Sequence, residues 1–198
     1  MDWIKNQRLV LASKSPRRRQ LLTEAGFVFE ILKIDVDETY SSSETPALIP
    51  ERLALKKARA GFEKLSDPLA IVLGADSMVF LGDRIFEKPQ DHNDAFRMLA
   101  SLSGKTHLVI TGVALISRDK ALTFSSKTYV TMRDMDKDEI EYYIKKYEPY
   151  DKAGAYGIQD WLGHCKVSEI SGTYTNVMGL PVDLVYEGLR QIVLPHSH

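Results

Sequence analysis

Four positive side chains stand together where an apolar run near the start of the chain gives way to a helix-like pattern. Lys14 and the consecutive Arg17–Arg19 follow the apolar run Leu9–Ala12. A helix N-terminus offers unpaired backbone N–H groups and the positive end of the helix dipole, so guanidinium groups placed there favour an anion such as phosphate. Exposed cations oppose that dipole by roughly 0.3–1 kcal/mol each, a cost that a binding role explains.

These cations cannot all serve one ligand, because consecutive positions on a helical turn point in different directions. We expect one or two of the arginines to reach a ligand and at least one to be solvated. Familiar nucleotide motifs are missing: Gly104-Lys105-Thr106 lacks the earlier glycine of a Walker loop and leads into a strand, and there is no GxGxxG fingerprint.

Acidic side chains suited to phosphate chemistry occur at Glu38, Asp76 and Glu87. Asp76 follows a predicted central strand, Leu69–Leu73, and the ends of such strands commonly face the ligand crevice of an α/β sheet. A carboxylate there can bind Mg²⁺ or take a proton. The alternatives are a turn cap with Ser77 for Asp76 and a solvated charge for each of the other acids.

Further ligand-binding groups are two lysines and a glutamine. Lys57 and Lys88 could neutralise phosphate oxygens, although an exposed lysine is the ordinary alternative. Asp151–Gln159 is rich in glycine and alanine, which permits close approach of a ligand. The amide of Gln159 can donate and accept together, as reading a nucleobase edge requires. The alternative is a tight loop packed on the sheet.

The elements that must position these residues alternate between strands and helices. The patterns predict strands at Arg8–Ala12, Phe27–Val36, Leu69–Leu73, Met78–Leu81, Arg84–Phe86, His107–Ser117, Ala121–Met132 and Lys166–Ile170. They predict helices at Pro16–Ala25, Glu51–Leu65, Asp94–Leu102, Asp136–Tyr147 and Pro181–Val193, with Ser15 and Gly26 capping the first and a loop over Asp37–Pro50. The order predicts one α/β domain over residues 1–198, with a mixed sheet.

Composition excludes several classes of protein. The 198 residues carry a formal net charge of -1, so no general positive field favours nucleic acid or a membrane surface. A single cysteine, Cys165, excludes an intrachain disulfide and a multi-cysteine zinc site. No stretch approaches the roughly 20 apolar residues of a membrane span, and the N-terminus lacks the apolar core of a secretory signal. We therefore expect a cytoplasmic protein, and we assign no function to His196–His198.

Short stretches along nearly the whole chain together resemble the Maf family of nucleoside triphosphate pyrophosphatases, also called septum-formation-inhibitor-like proteins. The match lies in their order as much as in their residues. The stretches are Leu11–Arg18, Lys57-Ala58, Gly74–Ser77, Glu87–Pro89, Leu102–Gly104, Asp151–Gln159 and Gly179–Pro181.

The resemblance implies a mixed α/β fold, with a β-sheet flanked by helices in two lobes around a nucleotide-binding cleft. It implies hydrolysis between the α- and β-phosphates of a nucleoside triphosphate, giving a monophosphate and pyrophosphate, with a divalent cation (Mg²⁺ or Mn²⁺) as cofactor. It allows a homodimer, and no nucleic acid or membrane partner is expected.

The resemblance also assigns residues. Asp76 is the implied acid/base residue, with Lys88 balancing phosphate charge. Substrate binding and specificity fall to Ser13, Ser15, Arg17, Lys57, Ser77 and Gln159, and the metal region to Glu38, Asp76 and Glu87. Whether Asp76 acts as base, as metal ligand or as both stays open.

The pattern ending in Gln159 is that of the subgroup associated with dTTP and UTP. An amide matches the O4 and N3–H edge of a pyrimidine in both directions. Position 77 commonly carries Thr in this subgroup and here is Ser77, so we expect the chemistry to survive and base selectivity to loosen. The alternatives are a non-catalytic nucleotide- or nucleic-acid-binding regulator, which leaves Asp76 and Glu87 unexplained, and a phosphatase that removes the terminal phosphate.

Overall fold

The structure is a computed structural model and describes residues 1–41 and 43–194. The tail His196–His198 and one residue of the predicted loop Asp37–Pro50 lie outside these ranges. Within them the chain forms seven strands and seven α-helices. The strands are β1 (Arg8–Leu11), β2 (Glu30–Ile31), β3 (Ala70–Leu81), β4 (Arg84–Phe86), β5 (Thr106–Ile116), β6 (Ala121–Met132) and β7 (Val167–Ser171). The helices are α1 (Pro16–Glu24), α2 (Ile49–Leu65), α3 (His92–Leu102), α4 (Lys137–Tyr147), α5 (Trp161–Lys166), α6 (Tyr174–Met178) and α7 (Val182–Val193).

The strands form one mixed sheet in the order β2-β1-β3-β5-β6-β7, with β4 paired to β3. β1 runs parallel to both β2 and β3, whereas β3–β4 and β6–β7 are antiparallel. The predicted fold class, a mixed sheet with flanking helices, is confirmed. The cleft between two lobes stays a prediction.

The first helix shows why local signals were informative. Pro16 opens α1, and the chain leaves it through Gly26 at φ 77°. Gly26 N–H donates to the carbonyl of Thr23 and Phe27 N–H to that of Leu22, which closes the helix as a Schellman motif. Ser15 occupies the N-cap position as expected, but its side chain makes no capping hydrogen bond to the helix.

The predicted strand end near Asp76 was wrong. Ala70–Leu81 forms one continuous strand, so Asp76 lies inside β3 rather than after it. The pattern Gly74-Ala75-Asp76-Ser77 is typical of a turn, but tertiary packing overrides it, because β1 pairs with the first third of β3 and β4 with its last three residues. The hairpin turn at Gly82 is confirmed, with φ 58° and Leu81 opposite Arg84.

Other differences are smaller. The strand predicted over Phe27–Val36 shortens to the two residues of β2. Helices α5 and α6, of 6 and 5 residues, were not predicted, because segments this short carry little periodicity. The remaining predicted strands and helices are present, with ends shifted by one or two residues.

The described residues divide into two compact units. The first comprises Met1–Asp76, Thr111–Ser126 and the chain from Gly179 onward, and the second comprises Ser77–Ile110 and Lys127–Met178. The single domain over residues 1–198 stays a prediction. No helix in the described ranges is long and apolar enough to span a membrane.

In the first unit, helix α2 packs on β1 and β3 through small side chains. The buried members of this cluster are Val10, Ala12, Ala54, Ala58, Ala70, Val72, Ala114 and Ile116. Small residues let a helix approach a sheet closely. Helix α2 carries Lys57, one of the predicted site residues.

Candidate active site

The first unit positions Lys57 over Asp76 through a close contact between α2 and β3. A Cβ atom on Gly74 would lie 2.7 Å from Ala58 N and 3.0 Å from Ala58 Cβ, so only glycine allows this approach. Asp76 lies two residues after Gly74 and therefore on the same face of the strand. Lys57, next to Ala58 on the helix, meets it there.

Lys57 binds two carboxylates at once. Its Nζ lies 2.6 Å from Asp76 Oδ1 and 2.8 Å from Glu38 Oε1. The side chains of Lys57 and Asp76 are only 13% and 11% exposed, whereas that of Glu38 is 51% exposed. Asp76 and Lys57 are thus a largely desolvated pair, and their attraction exceeds that of a surface ion pair. Lys57 therefore holds the two carboxylates together at one ammonium group.

Arg18 links the basic loop to the strand that carries Asp76. Its Nη1 donates to the carbonyl of Ala75 at 2.8 Å and lies 3.4 Å from Ser13 Oγ, and its Nε donates to the carbonyl of Gly179 at 2.8 Å. Burial lowers the pKa of Arg18, and the negative charge of Asp76 opposes this. Arg18 therefore places a positive charge beside Asp76 and fixes the backbone next to it.

Arg18 lies at the candidate site, although sequence reasoning gave it no role of its own. We assigned its neighbour Arg17 to substrate and expected some of the arginines to be solvated. The run of arginines was the only signal, and it cannot tell which side chain turns inward. Arg17 and Arg18 are partly buried and Arg19 is exposed, while Lys14 forms a surface ion pair with Asp35 at 3.1 Å.

Ser13 is buried and shapes the loop before α1. Its Oγ accepts from the backbone N–H of Ser15 at 3.1 Å. The Ser13 side chain therefore fixes the backbone at Ser15, and both serines were predicted to bind substrate. Their assignment to substrate binding stays a prediction.

The other predicted site residues belong to the second unit. They are Ser77, Glu87, Lys88 and Gln159. Glu87 and Lys88 are exposed, and the carbonyl of Glu87 accepts from Gly154 N–H at 3.1 Å. This bond ties the Glu87-Lys88 segment to the glycine-rich segment, as the roles predicted for both would need.

Gln159 lies in a β-turn. Asp160 N–H donates to the carbonyl of Gly157 at 3.1 Å, which makes Ile158 and Gln159 the two central residues. Gln159 Oε1 is buried and has no hydrogen-bond partner among the described residues. A buried amide oxygen without a partner costs about 1–3 kcal/mol, which a ligand donor at this position would recover.

Two buried phenols hold the chain around this turn. Tyr143 hydroxyl donates to Asp160 Oδ2 at 2.8 Å and accepts from Gly157 N–H at 3.0 Å. Tyr156 hydroxyl lies 2.7 Å from Nε2 of His107, which is 1% exposed. Burial raises the pKa of both phenols, most strongly by desolvation, so both stay neutral. Sequence reasoning missed these residues, because Tyr143 and His107 sit on apolar faces that indicate core packing.

The residues present fit a divalent cation in part. Asp76 and Glu38 converge on the Lys57 ammonium, so their oxygens can face one positive centre. No group of three or more His, Cys, Asp or Glu side chains within residues 1–41 and 43–194 could hold a metal. Mg²⁺ commonly binds one or two carboxylates and takes its other ligands from phosphate and water, so two acids suffice. The assignment of Glu38, Asp76 and Glu87 to metal stays a prediction.

The fold and this cluster define an α/β protein with a buried Asp–Lys pair beside a basic strand-to-helix loop. The family model described as "Maf-like protein" matches residues 8–192. The chain belongs to the Maf family.

Curated relatives cover nearly the whole chain. A protein of Thermosipho africanus is 46% identical over 180 residues, which is 91% of each chain. A protein of Bacillus cereus is 45% identical over 192 residues, covering 97% of this chain and 99% of its own. A protein of Porphyromonas gingivalis is 41% identical over 192 residues, or 96% of each. All three carry the name dTTP/UTP pyrophosphatase.

Proposed function

We propose that this protein hydrolyses the α–β phosphoanhydride of dTTP and UTP, releasing the nucleoside monophosphate and pyrophosphate. The observation that carries the proposal is the buried Asp76 carboxylate, paired with Lys57 and flanked by Arg18. The name shared by relatives of 41% to 46% identity over almost the whole chain supports the substrate.

Asp76 activates the attacking water in this proposal. Lys57 binds Oδ1 at 2.6 Å, which fixes the direction of the carboxylate, and the described residues donate no hydrogen bond to Oδ2. Oδ2 can therefore accept a proton from water. A positioned general base typically contributes 10²–10⁴-fold to the rate.

Positive charge meets the triphosphate at several points. Arg17 at the start of α1 and Lys88 bind phosphate oxygens, and the N–H groups of the first turn of α1 add to this. Glu38 and Asp76 would hold a divalent cation, with Glu87 as a further ligand, and the ion would neutralise phosphate charge.

Gln159 reads the base. Its unpartnered Oε1 accepts the N3–H of thymine or uracil, and its NH₂ group donates to O4. A cytosine presents the opposite pattern at these positions and is disfavoured. Ser77 keeps the hydroxyl of the more common Thr without the methyl, which loosens selectivity. Such an enzyme acts on the cytoplasmic nucleotide pool.

The test is a panel of dTTP, UTP, CTP, dGTP and ATP with Mg²⁺ or Mn²⁺, resolving monophosphate, pyrophosphate and orthophosphate. We expect pyrophosphate, mainly from dTTP and UTP, and none when the metal is chelated. Orthophosphate instead of pyrophosphate would identify a phosphatase. No turnover, together with RNA or DNA binding that weakens steeply with salt, would support a binding protein instead.

A further inference from the structure

The geometry points to Tyr143 as a positioning residue for base recognition: its hydroxyl braces both ends of the turn that presents Gln159. This inference rests on the proposed function, because it concerns how Gln159 is held ready for a pyrimidine base. Every residue in the argument belongs to the second unit.

One hydroxyl makes both bonds. The Tyr143 hydroxyl donates to Asp160 Oδ2 at 2.8 Å and accepts from Gly157 N–H at 3.0 Å. Gly157 and Asp160 are the first and last residues of the β-turn, and they are also joined by their own backbone bond of 3.1 Å. Opening the turn therefore breaks three hydrogen bonds together.

The surroundings leave this turn little freedom. The side chain of Tyr143 is fully buried and its ring stacks on that of Tyr147, with centroids 5.0 Å apart. Ile158, the other central residue of the turn, is 3% exposed. A Cβ on Gly157 would lie 2.5 Å from Asp160 Oδ2, so the carboxylate packs directly against the glycine. Lys152 adds a cation 3.9 Å from the same oxygen.

The braced turn carries a polar atom without a hydrogen-bond partner. Gln159 Oε1 is buried without a partner, although neighbouring polar groups of the turn are bonded. A flexible turn would rotate this oxygen toward water or a backbone N–H, since leaving it unpaired is costly. Holding the acceptor in place prepares it for a ligand and reduces the ordering cost of binding.

The test removes the hydroxyl and keeps the ring. If Tyr143→Phe leaves the turn in its binding geometry about one tenth of the time, apparent affinity falls about 10-fold. We expect KM for dTTP and UTP to rise about 10-fold while kcat changes less than about 2-fold, as for an interaction equal in ground and transition states. Tyr147→Phe is the matched control, because Tyr147 stacks on Tyr143 and the described residues offer its hydroxyl no hydrogen bond.

A double-mutant cycle separates positioning from general stability. In a Gln159→Ala background the brace has nothing left to position, so Tyr143→Phe should change KM less than about 2-fold further. A further change of about 10-fold in that background would overturn the inference, since the hydroxyl would then act independently of Gln159. A wild-type KM in the single variant would also overturn it.

Two measurements keep the inference distinct from the proposed activity. Amide hydrogen exchange at Gly157 should be faster in Tyr143→Phe than in the wild type and the Tyr147→Phe control, and an equal rate contradicts the brace. Calorimetric binding of dTTP in a chelator should weaken about 10-fold in the same variant. If the wild type binds dTTP without hydrolysing it, the proposed function fails and this comparison still decides the inference. If it binds no pyrimidine nucleotide, both fail.

Discussion

At the scale of single residues, Asp76 combines three features that a catalytic carboxylate needs. It is 7% exposed, one of its oxygens is held by Lys57 at 2.6 Å, and the carbonyl before it is fixed by Arg18 at 2.8 Å. Each contact restricts a different rotation of the side chain or the backbone. The carboxylate is therefore oriented before substrate arrives, which lowers the cost of reaching the reactive geometry.

Replacing Asp76 by asparagine tests this role with almost no change in shape. The amide oxygen still accepts a hydrogen bond from Lys57, but the group can no longer take a proton from water. We expect kcat for pyrophosphate release from dTTP to fall at least about 100-fold. Asp83→Asn in the exposed β3–β4 turn is the control and should leave kcat unchanged. Near-normal turnover in Asp76→Asn would remove Asp76 from the mechanism.

At the scale of elements, the contact between α2 and β3 carries the site. Lys57 is delivered by the helix and Asp76 by the strand, and Gly74 sets the distance between the two elements. The neighbouring alanines Ala54 and Ala58 are fully buried. A helix in such contact with a strand cannot accommodate added volume without moving, because interiors are packed at crystal-like density.

Gly74→Ala should therefore affect both stability and activity. The added methyl would meet the backbone of α2, which must shift and carry Lys57 away from Asp76. Overpacking of this kind costs about 1–3 kcal/mol of unfolding free energy, and kcat should fall with it. Urea denaturation and steady-state kinetics measure the two effects.

The control for this substitution is Gly26→Ala. Gly26 has φ 77° and nothing within 4 Å of an added Cβ, so only the backbone penalty of about 1 kcal/mol applies. This variant should lose stability and keep kcat. Equal loss of activity in the two variants would show that the α2–β3 distance is not what holds the site.

At the scale of the whole molecule, a buried histidine in the second unit makes the unfolding free energy depend on pH. His107 is 1% exposed, its Nε2 lies 2.7 Å from Tyr156 hydroxyl, and its Nδ1 is buried without a partner among the described residues. Desolvation lowers the pKa of His107 from its ordinary value of 6.5 to about 4. The native state therefore keeps this ring neutral at pH values where an unfolded chain protonates it.

This linkage predicts a loss of stability in mild acid. Between pH 6.5 and about 4 the unfolded state binds a proton that the native state refuses, so the unfolding free energy falls as the pH falls. Between pH 7.5 and pH 5 His107 alone should account for about 2 kcal/mol. Urea unfolding of wild type and His107→Gln at both pH values measures the difference.

The variant should be less stable at pH 7.5 and should lose about 2 kcal/mol less on acidification. His164→Gln removes an exposed histidine and should follow the wild type at both pH values. If His107→Gln loses as much unfolding free energy between pH 7.5 and pH 5 as the wild type does, the ring is already protonated, or reached by solvent, in the native state.

The sequence by itself determined the features whose causes are local. The left-handed helix end at Gly26, the hairpin at Gly82 and the helix signals around Pro16 follow from conformational preferences that act within a few residues. The family followed from short motifs in a fixed order, and the fold class followed also from the alternation of predicted strands and helices. Asp76 and Lys57 were named from these motifs as residues of the site, and Glu38 was named as a nearby acid that could join Asp76 around a cation.

Only the tertiary structure decided how those residues meet. Asp76 and Lys57 are 19 positions apart, and Arg18 binds carbonyls 57 and 161 positions away. Contacts at such separations are set by the packing of whole elements, which no window of sequence contains. For the same reason, the turn-like pattern at Asp76 forms part of a strand. In the sequence Tyr143 indicates only the apolar face of a helix, but in the structure it braces the turn that carries Gln159.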